Sequence, residues 1–176
     1  MTVTINGTTG VSLCAASSVP STALQSGVPS RSQLPAGTVL QVVNAQDTTR
    51  VLSSTQTPAA TNIAATITPT SATSKILVLG NVSVGKDGAN TNILLFLYRN
   101  GSQILSWDRI SGFTGSTGAT YCMSGVNYLD SPASTSSQTY TVYFGNGTGT
   151  GTTYINDIGY GSTPTTSTIT LMEIAA

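Results

Sequence analysis

The sequence predicts an all-β fold, a jelly-roll-like antiparallel β-sandwich behind an extended N-terminal arm, and three observations predict it. Serine and threonine supply 54 of the 176 residues, threonine alone 31, and β-branched side chains lose rotamer freedom in helices but fit a pleated sheet. Eighteen glycines and seven prolines punctuate short apolar segments in which hydrophobic positions alternate with polar ones. No stretch repeats at a helical period, and no internal repeat of 20 to 50 residues points to a solenoid or propeller.

Residues 1–35 differ from the rest. A short alternating segment (Val3, Ile5) runs into NGTTG at 6–10, followed by a Ser-, Ala- and Pro-rich run through Pro20, Pro29 and Pro35. Such a stretch buries too little apolar surface to order itself alone, so it reads as an arm held by a neighbour. Residues 36–176 read as the sandwich.

Within the sandwich, Thr38–Asn44 and Thr49–Ser53 are the first expected strands. Asn62–Thr68 follows, with Ile63, Ala65 and Ile67 alternating until Pro69 closes it. Lys75–Val84 starts as a buried run and ends in strict alternation. Thr91–Arg99 places Ile93, Leu95 and Leu97 on one face and Leu94, Phe96 and Tyr98 on the other, the pattern of a central strand covered on both sides. Asn100-Gly101 joins it to Ser102–Ile110 as a type I′ hairpin, which needs positive φ at both turn residues. Thr120–Leu129 and Thr139–Phe144 come next, linked by a proline-bearing loop. The glycine-rich 145–151 reads as a flexible surface loop, Tyr154–Ile158 as a short strand, and Ser167–Ile174 as the last strand, with Glu173 on the face of Ile169 and Leu171.

Charge is scarce: six basic and six acidic side chains, no histidine, a net of zero. Nucleic-acid binding requires clustered cations and has no basis here. The longest run of aliphatic and phenylalanine side chains, Ile93–Leu97, is far short of a bilayer span. The opening residues lack the basic and apolar regions of a signal peptide, so synthesis in the cytoplasm is expected. Without histidine, acid and base chemistry falls to five aspartates and one glutamate. Asp47, Asp87 and Asp130 sit beside turn residues and are expected to cap turns. A glycosidase pair drawn from Asp108, Asp130 and Asp157 has no spacing in its favour. The run at 145–151 is not followed by the helix a dinucleotide fingerprint needs, and neither metal nor cofactor is expected. Cys14 and Cys122 read as two small thiols rather than a disulfide framework. Trp107, Tyr121, Tyr128, Tyr140, Tyr143, Tyr154 and Tyr160 read chiefly as core or subunit interface, with a sugar-stacking platform as the other use of such rings.

Six segments carry a resemblance: INGTTG (5–10), LPAGTVLQVV (34–43), ITPTSATSKILV (67–78), YRNGSQI (98–104), YLDSPASTSSQTYTVYF (128–144) and STITLMEI (167–174). Together, in this order and spacing, the chain resembles small virion structural proteins and tail-fibre C-terminal modules of tailed bacteriophages. The resemblance implies a homotrimer displayed on the virion surface, with no catalytic residues. Its N-terminal segment, through Val3, Ile5, Asn6, Gly7, Thr8, Thr9 and Gly10, would attach to the major capsid protein or another virion protein. Two roles follow, a capsid decoration protein or a short tail fibre whose loops 111–118, 130–137 and 145–151 touch host surface glycans. The chain departs from a typical fibre in lacking a shaft of heptads or collagen-like repeats after residue 35.

Overall fold

The computed structural model describes residues 34–157 and 164–176, with Ile110 described by its backbone alone. The arm, with its attachment residues Val3, Ile5, Asn6, Gly7, Thr8, Thr9 and Gly10, lies outside the described residues, as do Cys14 and Tyr160. The described residues form ten strands: β1 (Val39–Asp47), β2 (Val51–Ser53), β3 (Ala59–Ile67), β4 (Lys75–Lys86), β5 (Ile93–Arg99), β6 (Ser102–Ser111), β7 (Thr120–Asp130), β8 (Gln138–Asn146), β9 (Thr153–Ile155) and β10 (Ser167–Ile174). No helix occurs among them.

One sheet runs β1-β10-β4-β7, with the short β9 and β2 continuing it beside the far end of β4, and the other runs β3-β8-β5-β6; every pairing is antiparallel. Leaving out β2 and β9, eight long strands remain. In chain order, the first, eighth, third and sixth form one sheet, and the second, seventh, fourth and fifth form the other. That interleaving is the jelly roll, two Greek keys folded into a sandwich.

Alternation along each strand drives the packing. Ile76, Val78, Val82 and Val84 of β4 and Ile169 and Leu171 of β10 point inward from one sheet. They meet Ile63 and Ile67 of β3, Ile93, Leu95 and Leu97 of β5, and Tyr140, Val142 and Phe144 of β8 from the other. Burial of each such aliphatic side chain stabilises the fold by about 1.5–3 kcal/mol. Leu94 and Phe96, on the opposite face of β5, are also buried, as expected for a strand flanked by β8 and β6. Asn100 and Gly101 both take positive φ, +49° and +81°, the geometry of the expected hairpin turn.

Several boundaries differ from the sequence reading: the first strand runs on to Asp47 rather than Asn44, and the third begins at Ala59 rather than Asn62. The strand expected to end at Val84 continues through Gly85 and Lys86, and that expected to end at Phe144 runs to Asn146. The expected strand 154–158 stops at Ile155, because Asn156 turns into the left-handed region at φ +58°. Its buried amide donates to the carbonyls of Asp47 and Thr49 at 3.1 Å each and to the Asp47 carboxylate at 3.0 Å, and it accepts from Ser167 Oγ at 2.6 Å. These bonds replace the ladder that a longer strand would make.

Candidate functional site

The carboxylates come first, because any acid–base chemistry would need them. Asp47 accepts from the Thr49 N–H and hydroxyl, and Asp87 from the Thr152 N–H at 2.6 Å and from the Tyr154 hydroxyl. Asp47 caps its own turn, as expected, whereas Asp87 ties the end of β4 to the distant Thr152 and Tyr154 rather than capping a turn. Asp130 does something else: it is buried at the end of β7, accepting from Arg99 Nη1 at 2.5 Å and from the Tyr140 hydroxyl at 2.7 Å. Asp108 accepts from Ser111 and Ser124, and Asp157 from Arg50. Asp108, Asp130 and Asp157 are thus bound to three separate sets of partners. Glu173 is buried where β10 meets the β3–β4 loop. Burial pulls its carboxyl up, but hydrogen bonds from the Thr70 hydroxyl, the Gln41 amide, the Thr70 N–H and the Ser74 hydroxyl hold it below its ordinary value. Among the described residues, no group of three or more His, Cys, Asp or Glu is placed to hold a metal ion.

Lys86 is fully buried at the end of β4. Its ammonium donates to the Gly88 carbonyl at 2.7 Å, Thr114 Oγ1 at 2.8 Å and the Ser116 carbonyl at 3.1 Å. It therefore straps the 111–118 loop to the sandwich with all three of its donors used. The glycine-rich loop is likewise tied: buried Asn146 donates to the carbonyls of Thr150 and Gly151 and accepts from the N–H groups of Thr148 and Gly149. Among the described residues Cys122 has no disulfide partner, and burial raises its thiol.

The outer face of the larger sheet holds the functional candidates. Residues directly opposite across antiparallel strands share a face, so the register sets out its rows. Val42, Met172, Leu77 and Leu129 form one row across β1, β10, β4 and β7. Val42 is 54% exposed and Leu129 50%. The next two rows are Asn44, Thr170, Leu79, Asn127 and Gln46, Thr168, Asn81, Gly125. None of the twelve side chains is charged.

At the far end of the same face a row of different chemistry crosses β2, β9, β4 and β7: Leu52, Tyr154, Gly85 and Tyr121. Gly85 is where the Tyr121 ring rests. A Cβ there would come within 2.4 Å of Tyr121 Cδ1 and 3.5 Å of the Asp157 carbonyl. The Arg50 guanidinium lies 5.3 Å from the Tyr154 ring centroid and pairs with Asp157. Burial, then the hydrogen bond to Asp87, raises the Tyr154 phenol, and Tyr121 adds to that shift. Eight residues separate Leu77 from Gly85 along β4, so the apolar and aromatic rows lie about 26 Å apart.

Of the aromatic residues singled out in the sequence, Tyr140 is core and Trp107 packs against it, its indole N–H donating to Ser124 Oγ at 3.2 Å. Tyr143 stacks on Tyr98 across the outer face of the other sheet, centroids 3.8 Å apart. Tyr121 and Tyr154 are brought together. Arg50, Gly85 and Asp157 were missed as their companions. The signal available for Gly85 was a glycine inside an alternating strand, which marks a bulge or a close approach.

Fold and face together define a sandwich whose described carboxylates tie loops and strands and whose larger sheet carries three successive uncharged rows on its outer face, between Lys75 at one end and the Arg50–Asp157 pair at the other. No protein-family model matches the chain, and no curated protein matches it. Among solved structures, the chain is similar to one titled "Structure of infectious bursal disease virus Gx strain", at 13% identity and a TM-score of 0.40. That match covers 77% of this chain and 37% of the viral chain.

Proposed function

We propose that this chain is a non-enzymatic structural protein of a tailed-phage virion, a homotrimeric capsid decoration protein. Residues 1–35 anchor it to the major capsid protein or another virion protein, and the jelly roll faces outward from the particle surface. The observation that carries this reading is the block of three uncharged rows on the outer face of the larger sheet, one of them apolar and partly exposed. Soluble monomers normally scatter charge over an open sheet face, whereas association surfaces are depleted of it. The engagement of each described carboxylate in tying loops and strands supports a structural rather than a catalytic role. Neither a cofactor, a membrane nor nucleic acid enters this reading.

A second reading, a short tail fibre touching host glycans, is favoured by one specific feature, the aromatic row at the opposite end of the same face. Quantitative mass spectrometry of purified particles separates the two. Decoration requires a copy number on the order of hundreds, a fibre one on the order of tens. Absence of the chain from the particles overturns both. Light scattering on the purified protein tests the trimer, and a mass equal to one chain counts against it.

A further inference from the structure

We propose that the edge of β7 pairs with the β7 of a second copy, antiparallel across a two-fold axis at Val126, so that the larger sheets of two chains become one. A strand at the edge of a sheet leaves one row of backbone N–H and C=O groups outside the ladder, and proteins blunt such edges with bulges, charges or shortness. Among the described residues, five strands stand at sheet edges: β1, β2 and β7 of the larger sheet, β3 and β6 of the other. Of these, β2 is three residues long, and β1, β3 and β6 each break register along their ladders. Charge is added by Asp47 on β1 and by Asp108 and Arg109 on β6. None of these devices protects β7. It keeps register with β4 over all 11 of its residues, and its one charge, Asp130, is buried against Arg99 at the end of the strand.

The side chains beside this edge decide what fits it. Met123 and Leu129, 52% and 50% exposed, stand on the outer face of β7 with Gly125 and Asn127 between them. A two-fold at Val126 sets Met123 of each copy opposite Leu129 of the other and Gly125 opposite Asn127, with Ser124 opposite Tyr128 on the inward face. Each large exposed side chain thereby gains an apolar neighbour across the strands. Both members of every pair lie on one face, as antiparallel pairing requires. No charge meets another, because residues 123–129 hold none. A copy of the same strand is thus the complement of this edge, and a two-fold is the commonest relation between identical chains. Trp107 of β6 reaches Ser124 from the other sheet, but β6 forms no ladder with β7. The contact is short of the roughly 20 residues a side of a stable interface, so it belongs to association at about 1–100 μM.

This pairing goes beyond the capsid reading and does not depend on it. A two-fold contact doubles whatever unit the chain otherwise forms, one chain to two or three chains to six.

Cysteine cross-linking tests the register and light scattering the contact, both on the full chain. In a Cys14→Ser, Cys122→Ser background, Met123→Cys and Leu129→Cys chains mixed and oxidised should form a covalent dimer, because residues opposed across antiparallel strands lie within disulfide reach. Neither variant alone should do so, since like positions lie about 20 Å apart along the strands. The mass of the unmodified protein should rise over about 1–500 μM toward an even number of chains. Met123→Lys places a charge at an exposed site. It should weaken this step about thirtyfold or more and halve the limiting mass, with the melting temperature in dilute solution unchanged. Halving to three chains keeps the trimer; halving to one rejects the trimer while the β7 pair stands. No cross-link in the mixture, an equal cross-link in either variant alone, or a mass unmoved by Met123→Lys would each overturn the pairing and leave the edge to another virion protein or to residues 1–35.

Discussion

Asp130 has two partners of unequal weight. Arg99 supplies a charge and Tyr140 a neutral hydroxyl, and the phenol is pushed far above its ordinary value by burial first and by the Asp130 carboxylate second. Removing the hydroxyl leaves a satisfied ion pair, whereas removing the guanidinium strands a buried carboxylate. Urea denaturation should therefore show Tyr140→Phe costing about 1–2 kcal/mol and Arg99→Met about 3 kcal/mol, the latter reduced from the fully buried case because Arg99 is partly exposed. The reverse order would mean that the ion pair is not what holds this corner. Glu173 yields a pH dependence. Its carboxyl is held below the unfolded value, so its contribution is fully present above the ordinary carboxylate range and disappears as pH falls through the folded value. Glu173→Gln should flatten the acid side of a melting-temperature profile and leave the slope near neutrality unchanged; an identical acid slope would refute the role given to Thr70 and Gln41.

Most strands were readable in the sequence because period-2 alternation and turn chemistry agree there. Asn100-Gly101 is the clearest case, and it predicts a cost: Gly101 sits at φ +81° with open space around the Cβ position. Gly101→Val should thus destabilise through the backbone alone, by about 1–2 kcal/mol in chemical denaturation, with Gly101→Asn recovering most of it. A clash-driven loss would not be recovered. The end of β4 was missed for the opposite reason. Gly85-Lys86-Asp87-Gly88 has the composition of a turn, and only the tertiary placement of Tyr121 and of the 111–118 loop makes Gly85 a seat and Lys86 a strap. Asp87 and Asp130 were misread as turn caps because their partners, Thr152 and Tyr154 for the one and Arg99 and Tyr140 for the other, are remote in sequence. The glycine-rich loop likewise hides the organising role of Asn146, which no short-range pattern announces.

Taken as one molecule, the sandwich has a sheet face whose two ends differ in chemistry, and neither end was visible before the register was known. Rows such as Val42, Met172, Leu77 and Leu129 join residues from four distant segments, and only strand order brings them together. If this face is the surface by which copies associate, a charge placed on it should act without harming the fold, since Val42 is more than half exposed. Val42→Asp should weaken self-association by about 2 kcal/mol, roughly thirtyfold, read as a concentration-dependent fall in mass by light scattering at an unchanged melting temperature of the dissociated chain. An unaltered mass would move the interface elsewhere.

The sandwich also closes on itself where it begins. Gly37 N–H donates to the Ala175 carbonyl at 2.8 Å, and Ala175 N–H donates to the Thr38 carbonyl at 2.8 Å. Entry and exit of residues 37–175 are thus hydrogen-bonded neighbours at one corner of the larger sheet. A unit built this way behaves as a cassette: a host polypeptide has to open by only a few ångströms to receive it, and its own ends can be rejoined by a short linker. Evolution can therefore graft the same jelly roll onto the tip, flank or interior of unrelated carriers without rebuilding either partner.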